Sequence, residues 1–500
     1  MAGSKAKQMV KHSSLYAIGN ISRQLVGFIM LPIYTRYLSP ADYGVVGLLI
    51  FSLNLVDLLF GARLTQAIPK FFHSDENSDN RNIVISTALI ATSVISAVTT
   101  LVVVYYSEAA SNLIFGKSDL SAIVMIYSVL ILTQAIENYG LLFIRLKQQP
   151  YLFLFFSLCK LFVQLGFNIW FVVILEMGVL GIAYTSAISS ILFACILLFH
   201  TLYHTKLLWS NSVAKKLMIF SWPLWVSGVA ALYLGSANRY YMRIYGSLDD
   251  IGLYELAAKF SAILTFMIWR PIFQYWETER FKYYEKDKPA SNIYNTVFLS
   301  INTLMVLAGL GISIFAEPVI EIMAPASYHL ASQVVPILVL AALLTSFSTY
   351  FRFSLLVTDN TKWIGKNTYY VAFIATVFFV VLIPSYQFIG AAYAYFLAML
   401  IQLYMTIKAS NQYYNLKVKL KPMVYMILVS IFSYYIANHI FTFDSIIFDF
   451  AYKSLVYLIF SMVILFIMWK FHDDREYLSK LITKLSPSIS NWISQYSNKH

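Results

Sequence analysis

Six ionisable residues stand where an apolar sequence rarely carries them. Arg23, Asp57 and Arg63 interrupt the first two hydrophobic runs, and Glu137, Lys259 and Arg270 interrupt later ones. A charge inside a bilayer faces water or a partner, so each of these residues marks a polar interior. On a helix turning about 100° per residue, Ser13, Tyr16, Asn20, Arg23, Gln24 and Gly27 fall on or beside one stripe, with Ile, Leu, Val and Phe on the rest. Two arginines and a carboxylate in adjacent spans point to a cavity rather than to a simple anchor. Each residue also has a plainer reading. Arg23 could pair with Asp57, Arg63 could snorkel to the inner headgroups, and Glu255 could neutralise Lys259 one helical turn later. Arg270, just before Pro271, shares a stripe with that last pair. Asp57 and Glu137 are the groups able to change charge within the membrane, because lipid favours a neutral carboxyl and permits proton exchange. Either could instead be a fixed counter-ion to an arginine. Lys160, with Gln164 and Asn168 on one face, is a weaker cavity candidate. Arg145 and Arg352 lie at inner span ends, where flanking arginines are routine. His200 and His204 have metal-ligand spacing but no third ligand, so no metal site is expected.

The elements that must position these residues are membrane helices. The chain has 500 residues, 59% hydrophobic and 12% charged, with a mean hydropathy of +0.68, which describes an all-α polytopic membrane protein. Its apolar runs are continuous over about 20 residues, whereas a transmembrane β-barrel shows alternating segments of roughly 10. Fourteen spans are predicted, beginning near Ser13, Tyr43, Asn82, Ser121, Tyr151, Val179, Lys216, Ile251, Asn295, Ser332, Asn367, Gly390, Met423 and Ile446. Scoring the intervening segments from a cytoplasmic N-terminus places 25 Lys and Arg inside against 5 outside (Arg36, Lys117, Arg239, Arg243 and Lys453), with the other 6 of the 36 within spans. That asymmetry predicts that both termini are cytoplasmic and that the number of spans is even. The N-terminus shows no signal-cleavage pattern, so the first span is expected to be retained. The net charge of +12 is then the mark of loops beside anionic lipid, not of nucleic-acid binding. Cys159 and Cys195 lie in apolar runs and read as core residues rather than a disulfide. Past the last span, Tyr477, Leu478, Leu481, Ile482, Leu485, Ile489, Trp492 and Ile493 recur at helical spacing, predicting an amphipathic helix on the inner surface.

The two halves carry matched landmarks. Asp42-Tyr43-Gly44 recurs as Asp250-Ile251-Gly252 at an offset of 208, and Gly181-Ile182-Ala183-Tyr184 as Gly390-Ala391-Ala392-Tyr393 at 209. Arg63 lies opposite Arg270, and Arg145 opposite Arg352, each at 207. An offset of six spans, an even number, predicts a parallel repeat whose pseudo-two-fold axis lies along the membrane normal. The expected organisation is an N-lobe over 1–210 (spans one to six), a C-lobe over 211–412 (spans seven to twelve), two added spans over 413–470 and a cytoplasmic tail over 471–500.

The hairpin LPIYTRYLSPADYGVVGLLIF, the GVLGIAY element and its echo IGAAYAY resemble the polysaccharide transport family of the MOP (multidrug/oligosaccharidyl-lipid/polysaccharide) superfamily. In particular they resemble Wzx-type flippases for O-antigen and other surface-glycan repeat units. The resemblance covers nearly the whole chain. It implies two lobes around a cationic cavity lined by spans one, two, seven and eight, in the bacterial inner membrane. The implied substrate is an undecaprenyl-diphosphate oligosaccharide, carried to the outer leaflet by alternating access. A glycan polymerase and chain-length machinery are the implied partners; no cofactor is expected beyond a coupling H+ or Na+. Arginine suits such a cargo, because its planar fork binds phosphate bidentately and stays protonated. Arg23, Arg63, Arg270 and Lys259 are therefore the substrate-binding candidates, and Asp57 and Glu137 the ion-coupling ones. Two relatives in the superfamily remain open: a peptidoglycan-precursor flippase and a drug/cation antiporter, which should favour carboxylates in its cavity. A membrane glycan polymerase or ligase is the rival of another class. It needs an activated nucleophile and a substantial soluble loop, and neither is evident, so catalysis is not expected.

Overall fold

The computed structural model describes residues 15, 18, 19, 27–60, 64–73, 78–285, 292–441, 443 and 445–471. Arg23, Arg63 and the tail from 472 onward lie outside them. The described residues are helical throughout apart from turns and short connections: α1 (Leu31–Tyr37), α2 (Pro40–Phe60), α3 (Ile68–His73), α4 (Ser78–Tyr105), α5 (Ser107–Phe115), α6 (Ser121–Leu146), α7 (Pro150–Asn168), α8 (Gly178–Thr205), α9 (Asn211–Ser236), α10 (Asn238–Tyr245), α11 (Leu248–Ile263), α12 (Arg270–Glu279), α13 (Ile293–Met323), α14 (Val335–Val357), α15 (Lys362–Tyr413), α16 (Lys421–His439) and α17 (Ile446–Phe471).

Among these residues ten helices are long and apolar enough to cross a bilayer. The predicted count is higher for visible reasons. Most of the first predicted span lies outside the described residues, and α9 and α16, although helical, are not among the ten. α15 runs for 52 residues, about 78 Å at 1.5 Å per residue, against a hydrocarbon core of about 30 Å. It folds at Gln387, whose φ of 51° and ψ of −129° are not helical, three residues after Pro384. A Cβ on Gly390 would sit 2.2 Å from the Leu382 carbonyl oxygen, so the chain turns tightly there only with glycine. Large apolar side chains such as Leu101, Phe162, Phe199, Tyr203 and Ile447 are exposed, as lipid-facing surfaces require.

The chain divides into two compact units. The first takes everything described up to Leu256, with Met323–Ala331 and Thr368–Tyr395; the second takes Ala257–Ile322, Ser332–Asn367 and the chain from Phe396. In the first, α6 packs against α8 and α4. Lipid supplies little hydrophobic drive between helices, so small residues and hydroxyls do the joining. A Cβ on Gly140 would lie 2.7 Å from Leu197 Cβ, and the Thr133 hydroxyl donates to Ser190 at 2.9 Å.

α2 and α11 open on the same device. The Ser39 hydroxyl accepts from Asp42 N–H at 3.2 Å while the Asp42 carboxylate accepts from Ser39 N–H and Oγ at 3.1 and 2.7 Å. Ser247 and Asp250 repeat all three bonds at 3.1, 2.8 and 2.7 Å. These are capping boxes, which satisfy the orphan amides of a first turn. The two first turns then touch reciprocally: a Cβ on Gly44 would lie 2.0 Å from the Leu248 carbonyl oxygen, and one on Gly252 1.9 Å from that of Pro40.

The second unit is built on aromatic packing. Tyr294, Phe298, Tyr350 and Phe353 are almost wholly buried; Tyr350 donates to the Tyr294 carbonyl at 2.7 Å and Tyr294 to that of Arg280 at 2.9 Å. Lys453, read from the sequence as an outer-loop charge, instead lies within α17, buried between Asp449 at 2.9 Å and Glu317 at 3.2 Å. Two carboxylates there neutralise a charge that an apolar helix would otherwise exclude.

Candidate functional site

The polar interior of the first unit has two parts. Glu137, 2% exposed on α6, accepts from the ammonium of Lys160 on α7 and from the Ser190 hydroxyl on α8, while Thr133 donates onward to Ser190. Three helices thus converge on one carboxylate. Asn168, read with Lys160 as a cavity residue, accepts from the Tyr34 hydroxyl at 2.7 Å.

The second part surrounds Asp57, in the last turn of α2. After α2, the 3₁₀ turn Leu64–Gln66 leads into α3, and the cavity beside it is lined by Asp57, Thr65, Gln66, Thr92, Asn138 and Tyr139. Thr92 and Tyr139 share a hydrogen bond of 2.6 Å between their hydroxyls. The Leu58 carbonyl, one residue past Asp57, accepts from the Trp225 indole.

Glu255 takes a different partner from the one its spacing suggests. Its carboxylate accepts from Arg239 Nε, and the same guanidinium donates from Nη1 to the Gly235 carbonyl and Asn238 Oδ1, both at 3.2 Å. Arg239, read as an outer-loop charge, sits on the short helix α10 against the Tyr254 ring, 5.6 Å from its centroid. Its neighbour Arg243 caps the end of α5, donating to the carbonyls of Asn112, Leu113 and Ile114 at 2.8, 2.7 and 3.1 Å.

In the second unit, Lys259 and Arg270 are 11 residues apart on α11 and its continuation, about 16 Å of helical path. A π-helical stretch, Leu264–Trp269, lies between them. Neither has an acidic partner among the described residues. The Arg270 guanidinium is exposed and lies 4.4 Å from the Phe266 ring centroid, a cation–π contact that leaves its N–H edge available. Of the six residues singled out by type and depth, Arg23 and Arg63 lie outside the described residues; among those, the structure brings Asp57 to a polar cavity, closes Glu137 into an ion pair and gives Lys259 and Arg270 no carboxylate partner. The Arg239–Glu255 pair and the lining of Thr65, Thr92, Asn138 and Tyr139 escaped sequence reasoning. Polar residues inside apolar runs were the available signal.

A model of the family described as polysaccharide biosynthesis protein matches residues 9–274, more than half of the 500. The chain belongs to the polysaccharide biosynthesis protein family. Solved structures agree with this family in fold. The lipid II flippase MurJ in an inward closed conformation matches with a TM-score of 0.73 at 14% identity, covering 90% of this chain and 98% of that one. An inward-facing multidrug resistance MATE transporter of the MOP superfamily matches at 0.55 and 13%, covering 78% and 95%. A MOP superfamily transporter from Pyrococcus furiosus, described as having a binding pocket of reverse polarity, matches at 0.51 and 13%, covering 81% and 94%. No curated protein matches by sequence. This member of the polysaccharide biosynthesis protein family therefore has the fold of those structures, which are described as a flippase and as transporters.

Proposed function

We propose that this chain is a flippase that carries lipid-linked oligosaccharide repeat units from the cytoplasmic to the outer leaflet of a bacterial inner membrane, by alternating access of two lobes. The proposed cargo is an undecaprenyl-diphosphate oligosaccharide of the kind used for O-antigen, capsule or exopolysaccharide. One observation carries the reading. Glu137 is committed to Lys160 and Glu255 to Arg239, while Lys259 and Arg270 have no acidic partner among the described residues. The charge left over is positive, which suits an anionic head and opposes the cationic cargo of a drug antiporter.

In this reading Arg23, Arg63, Lys259 and Arg270 hold the diphosphate. Asp57 exchanges the coupling ion, and Glu137 serves as the fixed counter-ion of Lys160. The paired capping boxes at an offset of 208 support a two-lobe repeat, and the excess of inner Lys and Arg supports fourteen spans with both termini cytoplasmic. A glycan polymerase and chain-length machinery are the proposed consumers of the product.

The test is deletion in the host, complemented with wild type, Arg270→Ala, Arg270→Lys, Arg23→Ala and Arg23→Lys. Deletion should abolish the surface glycan and accumulate lipid-linked repeat units on the cytoplasmic face. The alanine variants should fail to restore the glycan, and lysine should restore less than arginine, since an ammonium lacks the bidentate fork. An unchanged glycan with increased drug sensitivity would move the assignment to the exporter class.

A further inference from the structure

Three helices of the second unit enclose an apolar cavity of about 180 Å³. Leu310 of α13, Ile337, Leu340 and Leu343 of α14, and Ile427 and Ile431 of α16 line it, and Ile431 is exposed, so in a bilayer the cavity opens towards hydrocarbon. The two serines of the lining are already satisfied. Ser313 donates to the Gly309 carbonyl and Ser430 to that of Met426, each at 2.8 Å, which leaves water nothing to bond. An apolar cavity of about 150 Å³ stays dry and takes up a molecule the size of benzene, so this one suits a stretch of about six carbons of a lipid chain. A whole drug-sized ligand, which needs about 300–1,000 Å³, does not fit.

A charged cluster stands one helical turn further along. Glu317 follows Ser313 by four residues on α13 and Glu321 follows Glu317 by four more, so the three share a face. Tyr434, which lines the cavity from α16, lies in the field of the Glu317 carboxylate. Lys453 of α17 is buried between Glu317 and Asp449, while Glu317 itself is half exposed and Glu321 exposed. Three carboxylates against one ammonium leave this rim net negative.

That charge selects the occupant. An isoprenoid ending in a diphosphate would bring its anion against these carboxylates, and like charges oppose such docking. A lipid headgroup ending in a primary ammonium is attracted instead, and its three N–H donors match carboxylate acceptors.

We infer that the cavity and its acidic rim bind one membrane phospholipid with a primary ammonium headgroup, of the phosphatidylethanolamine class. A section of one acyl chain fills the space between α13, α14 and α16, and the ammonium sits on Glu317 and Glu321. The lipid thereby fastens α16 to the two helices behind it. The site is independent of the cargo, because all of its residues lie within the second unit and none of them is assigned to the diphosphate.

The experiment uses the purified full-length protein, delipidated in detergent. Native mass spectrometry counts retained lipid, and thermal unfolding is followed as phosphatidylethanolamine, phosphatidylcholine or phosphatidylglycerol of one acyl composition is added. Phosphatidylethanolamine should be retained and should stabilise saturably, with phosphatidylcholine weaker and phosphatidylglycerol weakest. Glu321→Gln should weaken that binding by about two- to fivefold, the scale of an exposed ion pair, and narrow the gap from phosphatidylcholine. Ser430→Leu, which fills the cavity, should abolish retention and unfold at no lower a temperature than delipidated wild type. Equal stabilisation by the three lipids, or full phosphatidylethanolamine binding by Ser430→Leu, would overturn the assignment. So would retention of a polyprenyl diphosphate in place of phosphatidylethanolamine, lost in Ser430→Leu, because the cavity would then hold the chain of the cargo. A protein that binds phosphatidylethanolamine in this way but translocates no diphosphate lipid would keep the site and lose the transport reading.

Discussion

The interior of this protein is decided residue by residue, by which charges find partners. Glu137 and Lys160 are a pair held across helices and tied to Ser190 and Thr133. Breaking one side of such a pair is worse than removing both, since it strands a buried charge at a cost of about 3–5 kcal/mol. Glu137→Gln should therefore lower the unfolding temperature markedly, and the double variant Glu137→Gln/Lys160→Met should recover much of the loss. Differential scanning of the purified variants checks this. A Glu137→Gln protein as stable as wild type but unable to transport would instead make Glu137 an exchanging group. The residue scale is also where sequence reading reached its limit. It picked out Asp57, Glu137 and Lys160 as polar intrusions, because in-span charges are rare. It could not pair them. Glu255 has Lys259 one turn away in sequence, yet Arg239, 16 positions earlier, takes its carboxylate, because tertiary packing and not helical spacing sets which groups meet.

At the scale of elements, Asp42-Tyr43-Gly44 and Asp250-Ile251-Gly252 were legible as matched landmarks, and the capping boxes they belong to became evident in the structure. Ser39 and Asp42, then Ser247 and Asp250, lie three residues apart just ahead of apolar runs, the signature of a helix start. What the pattern could not convey is that the two starts meet. Gly44 and Gly252 are required because the opposing carbonyl occupies the place of a side chain at 2.0 and 1.9 Å. Gly44→Ala and Gly252→Ala should each destabilise the protein. Because either substitution forces apart the same pair of turns, the double variant should lose less than the sum, with a coupling of roughly 0.5–3 kcal/mol. A double-mutant cycle on unfolding free energies measures it, and strict additivity would mean the turns are independent. The fold in α15 falls where two spans were predicted, one beginning near Asn367 and the next near Gly390. Lys453 was misplaced because a lysine near a span end reads as a loop unless its neutralising carboxylates, Asp449 and Glu317, are known to be adjacent.

For the whole molecule, composition alone specified an all-helical membrane protein, and the family match and fold agree with it. The identity of the cargo is a different kind of question, since one fold serves many functions and the site decides among them. Partner choice among ionisable side chains therefore carries the proposal of an anionic cargo: Glu137 and Glu255 are paired, while Lys259 and Arg270 have no acidic partner among the described residues. The direct measurement is translocation of a labelled polyprenyl-diphosphate oligosaccharide across liposomes containing the purified protein. The account predicts translocation well above protein-free liposomes, lost in Arg270→Ala and partly kept in Arg270→Lys. Movement of a cationic amphiphile with none of the diphosphate lipid, or equal rates for Arg270→Ala and wild type, would contradict it.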